Sequence, residues 1–189
     1  FNLSLVAENF YFNKDYKKSR KILKNFDKNQ DFYYWYRLKK EAQIITKTRS
    51  SDEALNYITS KFDRIEKPNN KFIFDIANFY KNSKKYEKAI KYYSSIIDKL
   101  VDDNDVKADL LYRRGGCYER LKDYDRADKD LQASLKINPN DAYVLNYLAY
   151  SWLERDFKID EAIVMLEKAY EQKNNDPYII DSIGWAYYL

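Results

Sequence analysis

The chain has no histidine, one cysteine, three glycines and three prolines in 189 residues, and each scarcity removes a class of protein. Without imidazole there is no Ser–His or Cys–His pair, no imidazole base and no histidine-held zinc. Cys117 is alone, so it can neither close an internal disulfide nor join a thiolate cluster, and it reads as a small core residue. So few glycines and prolines leave too little turn chemistry for hairpin-built β structure. No run approaches the ~20 apolar residues of a membrane-spanning helix. Gly115–Gly116 has neither the spacing nor the lysine of a phosphate-binding loop. Asp102-Asp103-Asn104-Asp105 lacks the glycine and the closing glutamate of a calcium loop and reads as a solvated helix cap. Asp and Glu number 30, yet none stands in an apolar setting that would single out an acid–base pair. No catalytic residue, metal ligand or cofactor is assigned, and the chain reads as non-enzymatic.

What is present is a period. A small residue stands three positions before a large one at Ala7/Phe10, Ala42/Ile45, Ala77/Tyr80, Gly115/Tyr118, Ala149/Trp152 and Gly184/Tyr187, at intervals of 34 to 38 residues. A second small residue follows the large one at Ser19, Ala54, Ala89 and Ala127, with Ala162 one residue late. Four further on stand Leu23, Ile58, Tyr93, Leu131 and Leu166, and Leu3, Leu38, Ile73, Leu111, Leu145 and Ile180 stand four before the first small residue. Offsets of three and four place these side chains on one stripe of a helix. The small residues let two helices approach, and the large ones fill the grooves beside them. A fixed period near 34 predicts a helical solenoid whose units bury their apolar faces on their neighbours. The prolines punctuate it, at Pro68, Pro139 and Pro177, where a missing amide hydrogen is tolerated.

Residues Ala108 to Asp141 carry Leu111, Gly115, Tyr118, Tyr124, Ala127, Leu131 and Pro139 in the order of a tetratricopeptide repeat, which the segment resembles. The resemblance extends over the chain with declining fidelity toward the N-terminus, where Glu41 and Lys61 depart from the pattern. It implies an all-α, right-handed superhelical solenoid of helical hairpins in one domain, 1–189. The units run 1–34, 35–69, 70–107, 108–141 and 142–176, with a partial unit at 177–189. Because residue 1 is Phe and the last unit has a first helix only, the chain reads as a segment of a longer protein.

The family's first helices line a concave groove. Its groove-facing positions fall here on Glu8, Gln43, Asn78, Gly116, Tyr150 and Trp185, just after the small slot. Three before that slot stand Ser4, Lys39, Phe74, Tyr112, Asn146 and Asp181, and a turn earlier Phe1, Tyr36, Lys71, Asp109, Tyr143 and Tyr178. The resemblance therefore implies a non-catalytic scaffold that binds a protein or peptide, with Lys39, Gln43, Phe74, Asn78, Tyr112, Tyr143, Asn146 and Tyr150 as its groove residues. Amides offer donor and acceptor to an extended backbone, and tyrosines give large contact area at low entropy cost. The two-carboxylate clamp of chaperone-binding relatives is not matched, because Gly116 and Tyr150 interrupt it.

Charge divides the chain. Residues 1–94 hold 21 Lys and Arg against 11 Asp and Glu, a balance of +10, and residues 95–189 hold 13 against 19, a balance of −6. Lys17, Lys18, Arg20, Lys21 and Lys24 crowd one second helix, so RNA or an acidic partner is the alternative ligand. Nucleic acid is disfavoured, since stacking aromatics are not interleaved there. Leu145–Ser151, Asp160-Glu161-Ala162 and Asp176–Trp185 resemble the last repeats of Gram-negative envelope tetratricopeptide lipoproteins. That implies an adaptor in a bacterial envelope complex, periplasmic or attached to the outer membrane, with a cytoplasmic setting as the alternative. The final helix is expected to expose Ile179, Ile183 and Trp185 for self-association.

Overall fold

The computed structural model describes residues 3–26, 31–100 and 103–188; Phe1 and Asp102, named above, lie outside them. Among the described residues there are eleven helices and no strand. They are α1 (Leu3–Phe12), α2 (Tyr16–Leu23), α3 (Asp31–Thr48), α4 (Ser51–Phe62), α5 (Asn70–Asn82), α6 (Tyr86–Ile97), α7 (Asn104–Arg120), α8 (Tyr124–Ile137), α9 (Ala142–Leu153), α10 (Ile159–Gln172) and α11 (Pro177–Tyr188). The chain divides into two compact units, Phe1–Tyr92 and Tyr93–Leu189, with the boundary inside α6. None of the described helices is long and apolar enough to cross a membrane.

Short polar side chains start the helices. Asp15, Ser50, Asn69, Asp103, Asp123 and Asp141 each accept a hydrogen bond from a first-turn amide, at 3.0 to 3.4 Å. Such a cap occupies a donor that has no intrahelical partner. The turns inside the hairpins are less expected. Lys14, Lys84, Lys122 and Asp156 all have left-handed backbones, with φ of 61°, 58°, 60° and 51°. The residue after each donates its amide five back, as Asp123 does to the Tyr118 carbonyl at 3.0 Å. This is the helix-ending turn that glycine ordinarily occupies. Lysine stands there three times instead, so the scarcity of glycine left these turns unmarked in the sequence. The last hairpin adds a second left-handed residue, Lys158, and that longer turn absorbs the one-residue delay of Ala162.

In the first unit α1 packs on α2 and α3 on α4. Ala7, Leu23, Phe26 and Ile44 form one core cluster. Ser19 sits in a small slot because its hydroxyl donates to the Ala7 carbonyl at 2.8 Å. Trp35 is stacked on Phe72, with ring centroids 4.8 Å apart. The irregular Glu41 is held by Arg37 at 3.0 Å and receives the Tyr57 hydroxyl. A polar network thus stands where the repeat pattern asks for an apolar residue. Lys61 is half-buried, and its neighbour Phe62 enters the core instead.

In the second unit α7 packs on α8 and α9 on α10, and α11 rests on α9 and α10. Leu131, Leu148, Ala149, Trp152, Ala162 and Leu166 are among its core residues. An ion pair is built into it. Asp130 takes Arg114 at 2.6 and 2.8 Å, and Arg114 also donates to Ser94 at 2.9 Å. Gly115 is the point of closest approach, since a Cβ there would lie 3.0 Å from Leu131 Cγ and 3.3 Å from the Ala127 carbonyl oxygen.

The final helix corrects two expectations. Gly184 and Tyr187 do not form a packed pair: Gly184 is exposed, a Cβ added to it would meet no described atom within 4 Å, and Tyr187 is 65% exposed. Ile179 is not exposed but fully buried, against Ala142, Leu145 and Ala169. Ile179, Ser182 and Ala186 face back onto the preceding hairpin, whereas Ile180, Gly184 and Tyr187 form an exposed stripe on another side of the helix.

Candidate functional site

Each unit has a pocket on its first helices. In the first unit α3 and α5 place Lys39, Gln43, Lys47, Asp75, Asn78 and Asn82 around a recess of about 350 Å³, with Tyr11 of α1 and Ser51 of α4 at its edge. Lys39 is not a free cation. Its ammonium pairs with Asp75 at 3.2 Å, and the other Asp75 oxygen accepts the Trp35 indole N–H at 2.9 Å. Asp75 thus ties a core tryptophan to a groove lysine, a link between residues 36 and 40 positions apart that no local motif announces. The side-chain carbonyl of Gln43 is buried without a hydrogen-bond partner among the described residues.

In the second unit a pocket of about 560 Å³ is lined by Glu119 and Arg120 of α7, Asn146, Tyr147, Tyr150 and Ser151 of α9, and Tyr178, Asp181 and Ser182 of α11. Tyr124, Glu154 and Arg155 complete it. Tyr147 donates its hydroxyl to Glu119 at 2.9 Å. Burial foremost, and Glu119 beside it, hold that phenol well above its ordinary range. Tyr150 is 39% exposed, and its phenol is raised by partial burial and by the Glu154 carboxylate. The Asn146 carbonyl and the Ser151 hydroxyl are both buried and unpartnered among the described residues.

Of the eight groove residues expected from the sequence, Lys39, Gln43 and Asn78 meet in the first pocket, and Asn146 and Tyr150 in the second. Phe74, Tyr112 and Tyr143 line neither. Phe74 is half-buried. Tyr112 packs edge-on against Tyr147, centroids 5.8 Å apart, beside the core. Tyr143 is 46% exposed, with the Lys173 ammonium 5.1 Å from its ring centroid. Asp75, Tyr147, Ser151 and Glu154 were missed. Tyr147 and Ser151 lie one position beyond the groove offsets, and Asp75 and Glu154 read as ordinary surface charge.

The basic residues of α2 and its C-cap Lys24 also gather. Lys17, Lys18, Arg20, Lys21 and Lys24 share a cleft of about 1200 Å³ with Ile44, Ile45, Thr48, Arg49 and Tyr57. Lys18 is paired to Asp15 at 2.9 Å. Among the described residues no group of histidine, cysteine and carboxylates is placed to hold a metal ion.

Two family models, both for the tetratricopeptide repeat, match residues 108–141 and 71–98. A TPR repeat-containing protein of Pseudomonas aeruginosa, PA4667, is 35% identical over 79 residues, 42% of this chain. The match spans 13% of that protein's length. Among solved structures, a tetratricopeptide repeat protein from Parabacteroides merdae superposes with a TM-score of 0.71 at 19% identity, covering 98% of this chain and 71% of that one. The first TPR of Spaghetti (RPAP3), bound to the HSP90 peptide SRMEEVD, superposes with a TM-score of 0.56 at 20% identity, covering 63% and 90%. These likenesses establish the fold, an all-α array of tetratricopeptide-type helical hairpins.

Proposed function

Because this chain is a tetratricopeptide repeat protein, we propose that it is a non-catalytic scaffold that holds a protein or peptide along its first-helix faces. One observation carries the reading. Gln43 and Asn146, on the first helices of different repeats, both bury an amide carbonyl with no partner among the described residues, and both residues line a pocket. A buried acceptor left unmade costs about 1–3 kcal/mol. A backbone amide of an extended ligand would satisfy it without reading the ligand's sequence.

The proposal does not extend to an acidic peptide such as the SRMEEVD held by the Spaghetti domain. Lys39 already serves Asp75, and the second pocket is lined by Glu119, Glu154 and Asp181. An adaptor role in a bacterial envelope complex is the finer form of the proposal, supported by the resemblance of residues 145–185 to envelope repeat lipoproteins.

The test is affinity capture with two baits, the chain and its Gln43→Ala/Asn78→Ala/Asn146→Ala/Tyr150→Ala variant, from cytosolic and envelope fractions separately. The proposal expects an envelope protein recovered by the first bait and lost by the second, with both baits equally helical. Equal recoveries contradict it. The α2 cleft favours a second reading, an acidic partner held by Lys17, Lys21 and Lys24. Reversing those three charges would then abolish capture and leave a groove ligand bound.

A further inference from the structure

We propose that the pocket between α9 and α11 receives a cationic side chain, arginine foremost, from the bound peptide; this rests on the scaffold reading above and names the anchor residue of its ligand. The pocket is short of positive charge. Arg155 points two hydrogen bonds at Asp128, 2.8 and 3.1 Å, and lies over the Tyr124 ring at 4.5 Å. Arg120 stands 3.5 Å from Glu119. Glu154 and Asp181 have no ion-pair partner among the described residues, Glu154 being hydrogen-bonded only with the Tyr150 hydroxyl, so two carboxylates without a cation line the recess. A carboxylate ligand would be repelled there.

Two polar atoms in the pocket's lining also lack a partner. Ser151 is only 6% exposed, yet its hydroxyl is unpartnered among the described residues, and the Asn146 carbonyl beside it is buried and unpartnered as well. Both residues line the recess. Carboxylates accept only, and an amide oxygen accepts only, so these groups are complementary to a ligand rich in N–H. A guanidinium brings five N–H donors in a planar fork, and its face stacks on aromatic rings. Tyr150 and Tyr178, 39% and 80% exposed, stand at the mouth where such a face would lie. A volume of about 560 Å³ admits an arginine side chain with its stem. The signs are reversed relative to a clamp for acidic tails.

The experiment titrates the ¹⁵N-labelled chain with Ac-Ser-Gly-Arg-Gly-Ser-amide and with its citrulline and glutamate counterparts, followed by NMR. The arginine peptide should shift amides of residues 146–154 and 178–182 saturably. The citrulline peptide, matched in shape but uncharged, should bind about tenfold more weakly, 1.4 kcal/mol, and the glutamate peptide not at all. Glu154→Gln/Asp181→Asn, at two exposed positions, should leave helicity intact and weaken the arginine peptide by about tenfold. Equal responses to arginine and citrulline, an undiminished response in the double variant, or no shift in those amides overturns the cation pocket. If the paired baits still differ in what they capture, the scaffold reading survives that failure; if they do not, both readings fall.

Discussion

Replacing each of the three glycines by alanine separates packing from propensity. The methyl group is the same and only its surroundings differ. At Gly115 the new Cβ would stand 3.0 Å from Leu131 Cγ, 3.3 Å from the Ala127 carbonyl oxygen and 3.3 Å from Asp130 Cβ. Leu131 is fully buried, and Asp130 is fixed by its two bonds to Arg114, so neither neighbour can yield freely. Overpacking of this kind costs about 1–3 kcal/mol. Alanine returns about 1 kcal/mol of helix propensity, leaving Gly115→Ala destabilised by about 0–2 kcal/mol. At Gly116 the nearest atom is the Tyr147 hydroxyl at 3.5 Å, an ordinary contact, and the propensity gain should dominate. At Gly184 no described atom lies within 4 Å of the new methyl, so Gly184→Ala should stabilise by about 0.5–1 kcal/mol. Urea unfolding followed by far-UV circular dichroism measures all three. The order of stability should run Gly184→Ala, then wild type, then Gly115→Ala. A Gly115→Ala chain more stable than wild type would refute the assignment of Gly115 as the contact point of α7 on α8.

Four further outcomes follow from named groups. Asn146→Ala removes a buried acceptor that has no partner among the described residues, so thermal melting should show unchanged or raised stability, by up to about 1 kcal/mol, while ligand binding falls; a clear loss of stability would make Asn146 a structural residue. Asp130→Ala strands the half-buried Arg114 guanidinium and should cost about 3 kcal/mol in urea unfolding, a cost that a loss below 1 kcal/mol would contradict. Lys122→Gly relieves a left-handed lysine at φ 60° and should add about 0.5–1 kcal/mol, read as a raised urea midpoint. Burial raises the phenols of Tyr36, Tyr57, Tyr93 and Tyr147 above the ordinary 10.0. In the unfolded chain these groups ionise first, so their contribution is present below pH 10 and is lost as pH rises above it. The phenolate absorbance of these four should therefore appear only with loss of helix, and ionisation of all twenty tyrosines with the helices intact would contradict this.

The second helices were the most legible part of the chain. Leu23, Ile58, Tyr93, Leu131 and Leu166, taken from spacing alone, are each 0% exposed, because a fixed offset from a small residue leaves one direction to point. The same rule failed at Gly184 and Tyr187, because the pattern describes a contact with a second helix and none follows α11 among the described residues. Within the pockets the limits were physical. Tyr112 occupies a groove offset, but its neighbour across the hairpins, Tyr147, takes its ring. Lys39 reads as free charge until Asp75, 36 residues on, is brought beside it. Ser151 and Glu154 carry no local signature, and only the approach of α11 turns them into the wall of a recess.

Photo-crosslinking tests the central claim most directly. A benzophenone amino acid would be placed singly at Asn78, Tyr150, Lys21 and Lys129 and irradiated in the cells that make the protein. The first two positions line the pockets of the first helices, and the last two are exposed on second helices. The scaffold account predicts a protein adduct of one size from Asn78 and Tyr150 and none from Lys21 and Lys129. Adducts confined to Lys21 and Lys129 would move the interaction to the second helices and contradict it.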